Sequence, residues 1–276
     1  MAITAQEVNK LRKMTGAGMM DCKKALTEAD GDFDKAIEIL RKKGQKLSEK
    51  RADRETSEGT VFIKTNADST EAFLISLTCE TDFVAKNDDF QNLGSDIINL
   101  VAEKKPADLE ALKALPYGDS TVQEKVVENI GKIGEKLEIS HYEHVKGEKV
   151  VSYVHAGSKL GVLVNLKNTG GADVTEAGKD VAMQIAAMNP VAVDKDGVDS
   201  TVIEKEIEIG KETARQEGKP EEMLEKIAQG KLNKFFKEST LLPQAFVKDN
   251  KTSIAQYLDS VNKGMTVTEF KRVAIG

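Results

Sequence analysis

The chain has 276 residues, 39% hydrophobic and 31% charged, enough to bury a large core in two or three modules. A net charge of −6, no Trp and only 5% aromatic residues argue against nucleic acid as the main ligand, because there is no basic excess to neutralise phosphates and there are few rings for stacking bases. Cys22 and Cys79 are too few for a disulfide framework. No stretch approaches the ~20 apolar residues of a membrane span, and the charged first dozen residues carry no signal-peptide pattern, so a reducing, cytoplasmic setting is expected.

Residues 1–54 read as a three-helix module and its linker. Thr4-Ala5-Gln6-Glu7 is a capping box that opens the first helix, with Val8, Leu11 and Met14 on its apolar face. Thr15-Gly16-Ala17-Gly18 breaks it. A second helix carries Cys22, Ala25 and Leu26 and stops near Asp30-Gly31; a third carries Phe33, Ala36, Ile37 and Leu40 and ends before Gly44. Arg41, Lys42, Lys43, Lys46, Lys50, Arg51 and Arg54 then crowd a segment poor in large apolar groups, which reads as a solvated connector or an exposed helix. Met19 and Met20 are neighbours just after the flexible turn. At most one of them can point into so thin a core; the other is left as a soft contact residue at the surface.

Two strand pairs follow, each leading into a helix. Val61-Phe62-Ile63 with Ala72 to Leu77 leads to a helix over about 90–104, and Val150 to Val154 with Leu160 to Leu166 leads to one over about 175–188. These units form an internal repeat, in which Phe73-Leu74-Ile75-Ser76-Leu77 parallels Val162-Leu163-Val164-Asn165-Leu166. The Gly94-to-Pro106 spacing equals that of Gly178 to Pro190. Leu77 to Gly94 spans 17 positions but Leu166 to Gly178 only 12, so the first copy holds about five extra residues just after its second strand. Two copies this far apart indicate paired subdomains, over 55–140 for the first and from 141–198 with a return at 240–276 for the second. Thr121 to Glu124 caps a further helix that reaches about Leu137. Between 199 and 239, Thr201 to Glu204 opens a helix, Gly218-Lys219-Pro220 makes a bend, and Met223, Leu224, Ile227, Leu232 and Phe235 stripe the returning helix. This is an antiparallel hairpin whose tip is a candidate partner surface.

Few residues suggest chemistry. Gly16-Ala17-Gly18 follows a helix instead of a strand and has Asp21 where a third Gly belongs, so it is no dinucleotide fingerprint. His141 and His144 lie in an extended stretch, three apart and hence on opposite faces, which disfavours a metal site. His155 ends a strand and reads as half-buried. A hydrolase or metal enzyme built on His141, His144 and His155 is the weakest functional reading, and no cofactor, metal or catalytic residue is expected. The extra residues of the first copy stand out instead. Phe83 is flanked by Asp82, Lys86, Asn87, Asp88 and Asp89; it is either a loop anchor folded inward or a wedge for another protein. Asp82 either caps the next helix or presents a carboxylate that would disturb a metal–phosphate site elsewhere.

Leu11 through Leu26, with Met14-Thr15-Gly16-Ala17-Gly18-Met19-Met20-Asp21-Cys22 at its centre, closely resembles the N-terminal signature of bacterial elongation factor Ts. Cys79-Glu80-Thr81-Asp82-Phe83-Val84-Ala85-Lys86-Asn87 is similar to that family's second signature, and Tyr153-Val154-His155 with Gly161 to Val164 to a third. The hairpin and the Gln244, Phe246, Val247 stretch extend the resemblance to essentially the whole chain. The chain departs from the family pattern at Ser76 and Thr78, where an acid and an Asn are usual, and at Gln244-Ala245-Phe246, where Gln-Pro-Phe is common and Pro243 here stands earlier. The resemblance implies an α+β fold: a module like the ubiquitin-associated three-helix fold, a pseudo-repeated core of two subdomains, and the inserted hairpin. It implies a guanine-nucleotide exchange factor, not an enzyme, whose partner is elongation factor Tu in its GDP-bound and nucleotide-free states. Thr81, Asp82, Phe83, Val84 and Ala85 would form the magnesium-displacing loop, His155 would fill a second apolar pocket, and Leu11, Met19 and Met20 would grip the same GTP-binding domain. A homodimer or 2:2 complex through the hairpin stays open. An adaptor that binds a ubiquitin-like partner through the N-terminal module is the alternative.

Overall fold

A computed structural model describes residues 3–276. The N-terminal module has helices α1 (Ala5–Thr15), α2 (Met19–Glu28) and α3 (Phe33–Lys50). The Thr4–Glu7 capping box is formed, and Gly16 closes α1 in the left-handed region at φ 68°. Val8, Leu11, Cys22, Ala25, Leu26 and Ala36 make the module's small core. Gly44 does not end α3, which runs on through it for another turn and a half to Lys50. Gly44 is buried because it faces helix α7 (Val122–Ile133). A Cβ on Gly44 would stand 3.1 Å from the Val127 carbonyl, and one on Gly131 would stand 2.9 Å from the Gly44 Cα. The glycine is there for a close helix crossing, not a stop. The basic segment is thus partly a helix docked on the core instead of a free connector.

The core is two three-stranded antiparallel sheets of identical topology. In the first, β1 (Glu58–Thr65), β2 (Glu71–Cys79) and β5 (Leu137–Lys146) lie in the order β1-β2-β5. In the second, β6 (Lys149–Val154), β7 (Leu160–Lys167) and β10 (Thr266–Ala274) lie in the order β6-β7-β10. The repeat read from the sequence maps onto this symmetry at named contacts. Phe62 pairs with Ile75 in one sheet and Val151 with Val164 in the other. Gly94 of α5 (Asp88–Lys104) rests on the Phe62 ring, and Gly178 of α8 (Thr175–Met188) rests on Val151, each so closely that a Cβ would overlap the side chain beneath it.

The sheets face each other through Val61, Ala72, Leu74, Val145, Val150, Leu163 and Val273, and each carries its helices on the outer face. β2 is therefore covered on both sides, which explains why every one of its residues is buried and its sequence does not alternate. Between β2 and β5 the chain forms α4 (Asp82–Ala85), α5, α6 (Leu109–Lys113), a small hairpin of β3 (Pro116–Tyr117) and β4 (Ser120–Thr121), and α7. The Thr121–Glu124 capping box opens α7, which stops at Ile133 on the left-handed Gly134 instead of reaching Leu137. Ser76 and Thr78, the departures from the family pattern, are satisfied locally: Ser76 by Ser140 and His141, Thr78 by Thr56 and the Glu138 carbonyl.

Between β7 and β10 come α8, a short 3-10 turn, the hairpin arms α9 (Ser200–Gln216) and α10 (Glu221–Ser239), strands β8 (Ala245–Phe246) and β9 (Asp249–Ser253), and α11 (Ile254–Val261). The arms pack through small residues on α9, Gly210 and Ala214, against Leu224, Ala228 and Leu232 on α10. Met223 of the expected stripe points to solvent, and Ile227 and Phe235 are half-buried. The return segment is pinned by the buried Gln184, which donates to Gln244 Oε1 and the Ala245 carbonyl and accepts from the Val247 amide. Among the described residues no helix is long and apolar enough to cross a membrane.

Candidate functional site

The stretch after β2, where the first repeat carries about five extra residues, forms α4, a single four-residue helical turn before the start of α5. Thr81 caps it, its hydroxyl accepting from the Val84 amide. Asp82 therefore does not cap the following helix; Asn87 does that, accepting from the Asp89 amide at 2.8 Å. The base of the turn is fastened from several sides. The Thr81 amide and hydroxyl donate to the two oxygens of Glu135 at 3.0 and 2.7 Å. The Gln91 amide donates to the Ala85 carbonyl at 2.6 Å and to the Thr60 hydroxyl at 2.8 Å. The Cys79 thiol donates to the Thr81 carbonyl, and its pKa is pushed up to about 12, first by burial and then by the Glu135 carboxylate.

Above this base Ala85 is buried and Val84 half-buried, while Phe83 stands 82% exposed, more than any other large apolar side chain among the described residues. Of the two readings of Phe83, the inward anchor is excluded, because the turn places Ala85 inward and Phe83 in water. Asp82 and Lys86 form an exposed ion pair at 2.7 Å. The Lys86 ammonium holds the Asp82 carboxyl below its ordinary range, so Asp82 is a carboxylate at neutral pH.

His155 lies at the turn between β6 and β7, exposed instead of half-buried, with its Nδ1 2.8 Å from the Tyr153 hydroxyl. This turn and the Phe83 tip share one end of the double sheet. The Ser158 carbonyl accepts from the Val61 amide, and Lys159 pairs with Glu58 at 2.7 Å. The Glu58 carboxylate in turn adds to the rise of the Lys86 pKa, of which Asp82 is the main cause.

In the N-terminal module Met19 and Met20 are 53% and 63% exposed. Neither enters the core, contrary to the expectation for one of them, because both lie in the first turn of α2, ahead of the Cys22, Ala25, Leu26 face that packs inward. Met14, expected with Val8 and Leu11 on the apolar face of α1, is instead 57% exposed, because it lies in the helix's last turn, past the Val8 and Leu11 contacts that face the core. Leu11 is fully buried in the module's core, so it supports this surface from beneath and is not itself a contact. The turn carrying Gly16 rests on the Lys132 side chain of α7, which seats the module against the first sheet's helices.

The histidines of the hydrolase or metal reading are not brought together. His141 reaches Ser76 and Ser140 on the face between the sheets. His144 stacks on Phe73 at 4.4 Å and reaches the buried Glu71 at 2.9 Å on the opposite face. Among the described residues no group of three or more His, Cys, Asp or Glu side chains converges as metal ligands would.

The family described as Elongation factor TS matches residues 80–276, from the root of the tip to the end of the chain. Curated relatives include Elongation factor Ts of Cytophaga hutchinsonii, 61% identical over 99% of both chains, and that of Amoebophilus asiaticus, 58% identical over 100% of both. Elongation factor Ts of Thermobifida fusca is 47% identical over 99% of this chain and 98% of its own length.

Proposed function

The chain belongs to the elongation factor Ts family of translation elongation factors, and from this we propose that it speeds GDP release from elongation factor Tu by inserting the Phe83 tip into that partner's GTP-binding domain. One observation carries the reading: a large aromatic ring held in water at the apex of a helical turn whose base is rigidly fastened. Exposed apolar area is unfavourable by about 25 cal/mol per Å², which burial in a partner's pocket recovers. Aromatic anchors of this kind typically contribute ~2 kcal/mol or more to an interface. Asp82 travels with the ring and brings negative charge to a site that holds a divalent cation and phosphate, where it competes for the one and repels the other. Met19 and Met20 supply a second grip and His155 a third contact on the tip's side of the molecule.

The scheme needs no reaction centre, because no bond of GDP is made or broken. Rate comes from binding energy realised with the nucleotide-free partner, and each ~1.4 kcal/mol of selective destabilisation speeds release about tenfold. The coupling is reciprocal, so returning nucleotide expels the factor. Release of a fluorescent GDP from elongation factor Tu tests this. Phe83→Ala, with unchanged circular dichroism and melting, is expected to lower the acceleration at least about tenfold, in line with loss of an anchor of ~2 kcal/mol. Full acceleration by that variant would remove the wedge, and no acceleration by the native chain would remove the exchange reading itself.

A further inference from the structure

The root of the tip carries a set of contacts that single out Glu135. The last rung between β2 and β5 joins Cys79 and Leu137. Beyond it, Glu80 and Thr81 on one side face Lys136 and Glu135 on the other, and the backbone ladder stops. Side-chain carboxylates take over from carbonyls. The Lys136 amide donates to Glu80 Oε1 at 2.7 Å, and the Thr81 amide donates to Glu135 Oε2 at 3.0 Å. β2 can thus turn away into α4 without orphaning its amides. Bonds to ionised acceptors are roughly twice as strong as neutral ones. The same turn reaches the N-terminal module. Arg51, which closes α3, donates to Glu80 Oε1 at 2.6 Å, and the Lys136 ammonium donates to the carbonyls of Ala52 and Arg54 at 2.8 and 3.0 Å.

We infer that Glu135 is a positioning residue for nucleotide exchange: by holding Thr81 at two points it fixes the direction of Phe83 relative to the module bearing Met19 and Met20, so that both meet the partner as one preformed surface. This rests on the exchange reading above. A tip ordered before binding loses less freedom on docking, and an aimed wedge delivers its energy to the step that opens the partner's site.

The second repeat supplies an internal comparison. There the Glu148 carboxylate accepts from the Thr169 amide and hydroxyl, both at 2.7 Å, and from the Asn168 amide at 2.9 Å. The same fastening of a strand end occurs, yet the chain runs on through Gly170 and Gly171 to α8 with no helical turn to aim. Glu148 therefore separates plain fastening from aiming.

The test uses full-length chains carrying Glu135→Ala, Glu135→Gln, Glu148→Ala and Phe83→Ala. GDP release from elongation factor Tu is measured over a range of factor concentrations, with amide hydrogen exchange at residues 83–86. Glu135→Ala is expected to lower the maximal release rate about tenfold, as misplaced catalytic contacts do, with the half-saturating concentration moving less than about threefold. Amide exchange at Val84, Ala85 and Lys86 should quicken while the β2 amides stay protected. Glu135→Gln, which keeps one acceptor, should fall between, and it carries the test if the alanine variant does not fold. Glu148→Ala should release GDP like the native chain. A native rate for Glu135→Ala, or a loss no larger than that of Glu148→Ala, overturns the positioning role. Loss of activity in Phe83→Ala with none in Glu135→Ala removes only this inference; a native rate for Phe83→Ala removes the wedge beneath it, and no acceleration by the native chain removes the exchange reading itself.

Discussion

Leu11 and Met20 lie in one sequence motif and meet opposite environments. Leu11 is fully enclosed among Val8, Cys22 and Leu26, whereas Met20 projects into water. Leu11→Ala should therefore lower stability by about 2–4 kcal/mol through lost burial and a residual cavity, visible as a lower denaturation midpoint. Met19→Ala with Met20→Ala should leave that midpoint within about 0.5 kcal/mol while weakening partner binding. Cys79 shows the same logic for reactivity. Its thiol, pushed up to about 12 by burial and the Glu135 carboxylate, stays protonated at pH 8 and should resist alkylation in the native chain, reacting only on unfolding. The sequence singled out Phe83 but left two environments open for it, because a ring among acids fits a surface or a fold-back equally well. What decides is the helical turn capped by Thr81, which buries Ala85 and leaves Phe83 in water. Glu135 carries no motif signal at all, since its partner Thr81 stands 54 residues away in the chain.

Helices and strands are legible where a cap, a turn or a continuous apolar run marks them, as in β2 and β7. The capping boxes at Thr4 and Thr121, the strand pairs and the bend at Gly218 follow from period and cap chemistry and are present. The third strands are not: the sequence marks β5 as extended but not as a sheet member and gives no sign of β10, because pairing with β2 and β7 is set by contacts distant in sequence. Gly44 misled for a related reason, since its function is to let α7 approach and only the partner helix reveals that. The same reasoning gives a test at this scale. Gly94→Val would drive a side chain into the Phe62 ring and should cost about 1–3 kcal/mol or more through overpacking, with α5 lifted from its sheet. Gly230→Val, on the exposed side of α10 where a Cβ meets nothing, should change stability far less.

The body of the molecule is two copies of one sheet-and-helix unit stacked face to face, and its pH response should follow from carboxyls, a thiol and phenols concentrated in the first of them. Lys105 and, against the opposing effect of burial, His144 hold the Glu71 carboxyl below its ordinary value. At Glu80 burial pulls upward, but the Lys136 amide and Arg51 outweigh it. Folded values below unfolded ones give stability that is present above about pH 4.5 and lost as pH falls through the folded values. At the other end Cys79, Tyr117, Tyr142 and Tyr257 are each pushed up to about 12, chiefly by burial. Their contribution is full below the unfolded values near 8.5–10 and fades as pH rises toward 12. Denaturation midpoints should thus form a plateau from about pH 5 to 8 with losses on both flanks; a midpoint that keeps rising below pH 4 would contradict the ion-pair assignments.

The helical hairpin leaves and rejoins the second unit at a single spot, where Leu241 and Leu242 donate to the carbonyls of Ala192 and Val193. Because entrance and exit are adjacent, the arm is a detachable graft: it can lengthen, shorten or vanish over generations without disturbing the body that bears it. A chain lacking 201–237 and joined by a short Gly-Ser bridge should still melt as a cooperative body, which leaves the arm free to diverge toward whatever surface it meets.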